Sequence, residues 1–390
     1  MITVEDALSK LFDLVQPLDA ETVPLRSAPG RVLIEAVSAT RDQPPFAASA
    51  MDGYALRSAE AAAGAQFDVV GEAAAGHRWD GTLKPGQALR IFTGAPLPIG
   101  ADRVVIQEDI SRSGSVITLG KTLDSGLHVR PAAADFSAGD TIDAPRILTP
   151  QDIALLAAMN IGYVPVTRRP QIAIIATGDE LVMPGEAPRP DQIIASNTFG
   201  LAALIEAHGG KARLLPIARD HTASIETAIA LAADADLILT VGGASVGDHD
   251  LVGAVTQRMG LKQSFYKIAM RPGKPLMAGC IGTSALVGLP GNPVSAMVCG
   301  HVFILPMLRA MLGLGATAEP SFEAMLGVDL PQNGPRAHYM RARLEGNVVT
   351  PATSQDSALL GVLARANALL IRPAGEEAQA KGSRAFVMRL

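Results

Sequence analysis

The sequence predicts a multi-domain α/β protein: a doubly wound α/β domain, a β-rich domain inserted ahead of it, and a small β domain at the C-terminal end. Three observations predict this. Residues 169–310 alternate apolar runs of strand length with helix-period segments, the rhythm of a mainly parallel sheet covered by helices on both faces. Two other stretches, 41–140 and the tail, carry short apolar pieces punctuated by Gly and Pro. The chain has 390 residues and no internal repeat, which suits two or three domains.

In order, residues 1–40 read as an N-terminal helix and an extended linker. Thr3 can cap a helix to Val15, Glu5 and Asp6 suit its first turn, and Leu8, Leu11, Phe12 and Val15 share a face. Residues 41–140 read as the inserted domain, with strand pieces at 67–70, 88–92, 103–106 and 115–119. A connecting segment, 141–168, holds a helix from Gln151 to Asn160 opened by Thr149-Pro150. The α/β domain, 169–315, has strand patterns at 171–176, 213–217, 236–241, 264–270 and 284–288, and helix patterns at 198–208, 222–232, 250–259 and 293–311. The C-terminal domain, 316–390, has strands at 339–343, 348–350, 368–371 and 385–388.

Hydrophobic residues make up 48% and charged residues 18%, a balance for a large buried core, and with 4% aromatics that core must be built from Ala, Val, Leu and Ile. The net charge of −5 offers no global attraction to nucleic acid or to an anionic membrane, so an anionic substrate must be held by local basic residues. Cys280 and Cys299 stand in apolar surroundings without zinc spacing, as buried thiols in a reducing compartment would. The acidic start Met1-Ile-Thr-Val-Glu-Asp is unlike a signal peptide, and no uncharged apolar run reaches membrane-spanning length. A cytoplasmic enzyme is the expectation.

The stretch that organises the rest is Thr240-Val-Gly-Gly-Ala-Ser-Val-Gly-Asp-His-Asp250, between an apolar run and a helix pattern. Strand, glycine-rich loop and helix together point backbone N–H groups at an anion. Gly242, Gly243 and Gly247 allow close approach to the main chain, and Ser245 adds a hydroxyl. Asp248 and Asp250 would repel an anionic ligand unless a divalent cation lies between, so an anionic ligand with Mg²⁺ is expected. The alternative is a tight βα connection whose Asp248 only caps a helix. Two further loops leave predicted strand ends, Thr177-Gly-Asp-Glu180 and Leu289-Pro-Gly-Asn-Pro-Val-Ser295. Parallel sheets bind ligands at that edge, and three polar loops there predict a site. Tyr266-Lys-Ile-Ala-Met-Arg-Pro-Gly-Lys-Pro275 concentrates Lys267, Arg271 and Lys274. They can neutralise an oxoanion or guard a solvated edge strand, with Lys267 on the face opposite Tyr266, Ile268 and Met270. Asp52, Thr93 and Asp135 each sit in a turn-like segment that reads as structural when taken alone. Asp220 reads as a helix N-cap, and His221 and His249 as surface histidines; no Ser-His-Asp or Cys-His arrangement can be assembled.

Six motifs occur in order: Ser49-Ala-Met-Asp-Gly-Tyr-Ala, Ile91-Phe-Thr-Gly-Ala, Thr177-Gly-Asp-Glu-Leu, Gly242-Gly-Ala-Ser-Val-Gly-Asp-His-Asp, Met270-Arg-Pro-Gly-Lys-Pro and Leu289-Pro-Gly-Asn-Pro-Val-Ser. Over nearly its full length the chain resembles the molybdopterin molybdenumtransferases, the molybdate-insertion enzymes related to the E domain of gephyrin. The resemblance implies an elongated homodimer with a molybdopterin-binding α/β domain and a C-terminal β-barrel-like domain. It implies that adenylylated molybdopterin binds at the strand-end loops, that molybdate enters its dithiolene, and that the adenylyl group is cleaved with Mg²⁺ present, giving molybdenum cofactor and AMP. Asp52, Thr93 and Asp135 would face the α/β domain of the other subunit. Glu180, Asp220 and Asp250 would line the α/β side and hold Mg²⁺. Gly242, Gly243, Ser245, Gly247 and Asp248 would cradle the ligand. Lys267, Arg271 and Lys274 would hold phosphate or molybdate. Pro290, Gly291, Asn292, Pro293 and Ser295 would shape the last loop, with Arg341 and Ser357 joining from the tail. The adenylyltransferase and apo-molybdoenzymes are implied as partners, with no nucleic acid and no membrane. Arg271 stands where many relatives carry Lys, and Ala134-Asp135 where a Glu-Asp pair is usual. Three rivals are an adenylyltransferase, a nucleotide pyrophosphatase and a non-catalytic scaffold for partner peptides.

Overall fold

A computed structural model describes residues 1–243 and 251–390. The chain packs as two compact units. One comprises Met1–Glu21, Gly30–Ile34 and Val166–Leu390; the other comprises Thr22–Pro29 and Glu35–Pro165.

The first unit is built on a six-stranded sheet in the order Lys211–Leu214, Gln171–Ala176, Leu237–Val241, Ser284–Leu289, Met277–Ile281, Lys262–Tyr266. The first four strands run parallel, and the last two add antiparallel pairings. Alternate residues of the central strands enter opposite cores. Ile172, Ile174, Leu237 and Leu239 meet Leu201, Ile205, Val298 and the N-terminal helix, while Ala173, Ile175 and Ile238 meet Ile225, Ile229 and Val255. Burial on both faces explains why these strands read as nearly continuous apolar runs.

The N-terminal helix is Val4–Phe12, shorter than expected; Thr3 and Asp6 form a capping box, and Val4, Ala7, Leu8 and Leu11 are its buried stripe. The helical run Pro293–Met311 has 19 residues and a mean hydropathy of 1.6, long and apolar enough to cross a membrane. Its apolar window is 83% buried inside the protein, where it serves as the central core helix. A π-helical turn, Gly300–Ile304, precedes Leu305–Met311, because Pro306 has no N–H to continue the ladder.

Two sequence expectations are corrected here. The strand expected at 264–270 breaks: Lys262–Tyr266 ends, Lys267 takes φ +71°, and Met270–Arg271 pairs with Ala337–Glu345 instead. The simple alternation that placed Lys267 opposite Tyr266 therefore does not hold. Strand Met277–Ile281 was not expected; Gly282-Thr283 turns it back on Ser284–Leu289 as a hairpin, with Gly282 at φ +59°.

The C-terminal strands Phe322–Leu326, Ala337–Glu345, Val348–Pro351, Ala368–Arg372 and Arg384–Arg389 close into a five-stranded barrel, because Ala337–Glu345 pairs with both Val348–Pro351 and Ala368–Arg372. Ala324, Leu326, Ala342, Val349, Leu370 and Val387 fill it.

The second unit carries a six-stranded sheet in the order Arg103–Ile106, Gly53–Leu56, Gln87–Ile91, Gln66–Ala73, Val116–Leu119, Ile110–Ser113. Tyr54 and Leu56 face one core, with Phe67 and Ile117; Ala55 faces another, with Leu89 and Val104. Helix Pro150–Ala158 belongs to this unit and opens with a Thr149–Asp152 capping box.

Candidate active site

Strands Gln171–Ala176, Leu237–Val241 and Ser284–Leu289 are parallel neighbours, so their carboxyl ends deliver three loops to one edge. Main-chain bonds tie the loops together: Thr177 N donates to Val241 O at 3.0 Å and Gly242 N donates to Leu289 O at 3.2 Å. Asn197, at the start of helix Asn197–Ala207, donates through Nδ2 to Gly291 O at 2.7 Å. The result is a cavity of about 700 Å³ lined by Glu180, Asp220, Gly242, Gly243, Pro290 and Asn292, among others.

Gly242 and Gly243 are glycine for two reasons. Both have positive φ, +100° and +64°. A Cβ on Gly242 would lie 2.6 Å from Thr177 O, and one on Gly243 would lie 2.4 Å from Val252 Cγ2. Gly291 and Pro293 also line this cavity. Ser245, Gly247, Asp248 and Asp250 lie outside the described residues.

Asp220 was expected to cap helix Thr222–Leu231. His221 does so instead, its Nδ1 accepting from Ser224 N at 3.2 Å. Asp220 is thereby left on the cavity wall, and its N–H donates to Asp179 Oδ1 at 3.1 Å. Arg219 fastens the loop that carries Glu180, donating through Nη1 to Asp179 O and Leu181 O at 3.1 Å each. Neither Glu180 nor Asp220 forms an ion pair among the described residues, so two carboxylates face one cavity without a cation. Mg²⁺ takes one or two carboxylates and completes its shell with ligand oxygens, and this pair fits that demand. No three His, Cys, Asp or Glu side chains converge on one point among the described residues.

A second cavity of about 550 Å³ adjoins the first, sharing Pro275 and Asn292 as lining residues. Arg271, Lys274 and Arg336 bring three cations to it, with Ser295 and Ser357. None of the three cations is in an ion pair among the described residues. The tail reaches this place because Asn292 Nδ2 donates to Ser357 Oγ at 3.1 Å, and Val294 N donates to Ser357 O at 3.1 Å. Arg341 does not line the cavity. It is fully buried behind it, donating to Gln355 Oε1 and to Asp356 O. Lys267 lines neither cavity; its Nζ stands 4.9 Å from the Tyr266 ring centroid.

In the second unit, Thr93 donates from both N and Oγ1 to Asp52 Oδ1, at 2.8 Å each. Asp135 lines a cavity of about 580 Å³ with Arg41, Phe46, Gly94 and Arg130. The Thr93 N–H and hydroxyl hold the Asp52 carboxyl below its ordinary value of 3.8, with Arg90 adding to the effect. Asp52 is depressed, so the stabilisation is present above 3.8 and is lost as pH falls through the lowered value. Thr93→Val keeps the N–H and removes the hydroxyl, so it should raise the Asp52 pKa part of the way back in a carbon-13 carboxyl titration; an unmoved midpoint would show that the hydroxyl adds nothing to the N–H.

Residues 2–160 match the family described as the MoeA N-terminal region (domain I and II), 173–310 match a probable molybdopterin binding domain, and 323–390 match the MoeA C-terminal region (domain IV). The molybdopterin molybdenumtransferase of Nostoc sp. is 38% identical over 410 residues, covering 100% of this chain and 94% of the relative. The chain belongs to the molybdopterin molybdenumtransferase family. The Bacillus subtilis molybdopterin molybdenumtransferase is 31% identical over 397 residues, covering 98% of this chain and 92% of its own length. The crystal structure of the molybdopterin biosynthesis MoeA protein from Pyrococcus horikoshii OT3 superposes with a TM-score of 0.84 at 27% identity and full coverage of both chains.

In this molybdenumtransferase family member, the first cavity's loops fall in the stretch matching the molybdopterin binding domain, while Arg336, Gln355 and Ser357 fall in the C-terminal match. Sequence reasoning missed Arg219, Asn197, Arg336 and Gln355. Arg219 follows a strand and precedes a cap, but nothing in its neighbours says that it turns back on residues 178–181. Arg336 had one usable signal, a basic residue just before a β-rich strand, but not its destination.

Proposed function

We propose that this protein inserts molybdate into adenylylated molybdopterin, with Mg²⁺-dependent cleavage of the adenylyl group, releasing molybdenum cofactor and AMP. One observation carries the reading: a cavity with two carboxylates shares a wall with a cavity bearing three cations, none of the five in an ion pair among the described residues. A ligand with an anionic phosphoanhydride can lie on the glycine edge while Arg271, Lys274 and Arg336 hold a tetrahedral dianion beside it. Glu180 and Asp220, with Asp250, would hold Mg²⁺, which when bound would neutralise phosphate oxygens. Ser357 and Ser295 offer hydroxyls to the oxoanion, and Asn292 stands where the two cavities meet. Asp52, Thr93 and Asp135 would act from a second copy of the chain, so a homodimer with shared sites belongs to the same reading. The adenylyltransferase would supply the substrate and apo-molybdoenzymes would take the product.

The test is to incubate purified protein with adenylylated molybdopterin, Mg²⁺ and graded molybdate, and to quantify AMP. AMP that rises with molybdate supports the reading; AMP indifferent to molybdate points to a nucleotide pyrophosphatase. Asp220→Asn should lower the rate of AMP release by roughly 10²-fold or more while changing ligand affinity less than tenfold. Equal losses in both would remove the metal-holding role.

A further inference from the structure

Thr177 ends the central strand edge and lines the first cavity, with 4% of its surface exposed. Its main chain is engaged in extending the sheet, through N to Val241 O and through a bridge to Ala218. Its hydroxyl is buried and has no hydrogen-bond partner among the described residues. An unpaired buried hydroxyl costs free energy, so a fold that keeps one invites a reason. The hydroxyl lies directly under the glycine cradle: a Cβ on Gly242 would come within 2.9 Å of Thr177 Oγ1, and one on Gly243 within 3.0 Å. Neither glycine puts a side chain against this oxygen, and a Cβ at either would crowd it.

We propose that the Thr177 hydroxyl is a substrate-recognition group that donates a hydrogen bond to a phosphate-type oxygen of the ligand seated on the Gly242–Gly243 edge. The inference rests on the reading of this cavity as the substrate site and names one contact within it. The chemistry favours an anionic oxygen, because a hydroxyl in a low-dielectric site gains most from a charged acceptor.

Thr240 supplies a control. Its Oγ1 is also buried without a partner among the described residues, but it stands within the sheet and does not line the cavity. Valine keeps the shape of threonine and removes the hydroxyl. Thr177→Val and Thr240→Val are both expected to raise the melting temperature of the ligand-free protein, because each removes an unsatisfied polar atom. Only Thr177→Val should lose affinity, roughly tenfold or more by calorimetry, for both adenylylated molybdopterin and inorganic pyrophosphate. Thr177→Ser should retain most of that affinity. A Thr177→Val protein that melts higher and binds both ligands as the wild type does would overturn the proposal. So would a wild type that binds neither ligand. If the wild type binds pyrophosphate but forms no molybdate-dependent AMP, the functional reading fails, and the pyrophosphate comparison still decides the role of Thr177.

Discussion

Gly242→Ala is expected to destabilise the protein by about 2–5 kcal/mol and to abolish measurable ligand binding, read by denaturant unfolding and calorimetry. Two independent penalties combine. The residue holds φ at +100°, where an L side chain is strained. The new methyl would also sit 2.6 Å from a backbone oxygen, Thr177 O, which cannot rotate away as a side chain would. The loop must move, and it carries the floor of the cavity. Gly260→Ala separates the two terms: it has φ +94° and nothing within 4 Å of the added methyl. It should cost only the conformational strain, about 1 kcal/mol, and leave binding intact. Equal costs at the two sites would show that the close approach at Gly242 is unimportant.

Arg341→Met carries the second large effect, an expected loss of about 3 kcal/mol together with a weakened oxoanion site. The guanidinium is fully buried. It donates to Gln355 Oε1 from Nε and Nη2 at 3.1 and 3.0 Å and to Asp356 O from Nη1 at 2.6 Å. Removing it takes this donor from Asp356 O, leaves Gln355 Oε1 with the Arg341 N–H alone at 3.0 Å, and frees the segment that presents Gln355, Asp356 and Ser357 to the second cavity. Arg341→Lys should recover little, since an ammonium cannot reproduce the planar fork. Ser357→Ala makes the contrasting case, with stability changed by less than about 0.5 kcal/mol but molybdate affinity reduced. If Arg341→Met lowered stability while leaving molybdate affinity untouched, the segment would not depend on Arg341 for its shape.

Much of the α/β domain was legible along the chain. Leu237–Val241 and Gln171–Ala176 are apolar apart from Thr240 and Gln171, and burial on both faces leaves little room for polar alternation. The loops holding Glu180, Gly242 and Asn292 follow from those strand ends, and parallel pairing sends them to one edge. Lys267 was misjudged because a period-two argument assumes an unbroken strand, and a single residue at φ +71° ends that assumption. Asp220 was misjudged because two adjacent residues, Asp220 and His221, can each accept an N-cap hydrogen bond, and propensity alone favours the aspartate.

What local pattern determined was therefore the kind and order of elements, the capping boxes at Thr3 and Thr149, and the glycine loops, since each depends on residues a few positions apart. Only the tertiary structure decided how the tail meets the sheet. Ala337–Glu345 finds Met270–Arg271 on one side and Ala368–Arg372 on the other, which closes the barrel and carries Arg336 and Ser357 to Asn292 and Lys274. Such pairings join residues tens of positions apart, which come close only when the core assembles. Their register is set by the packing of both partners, which neither segment encodes by itself.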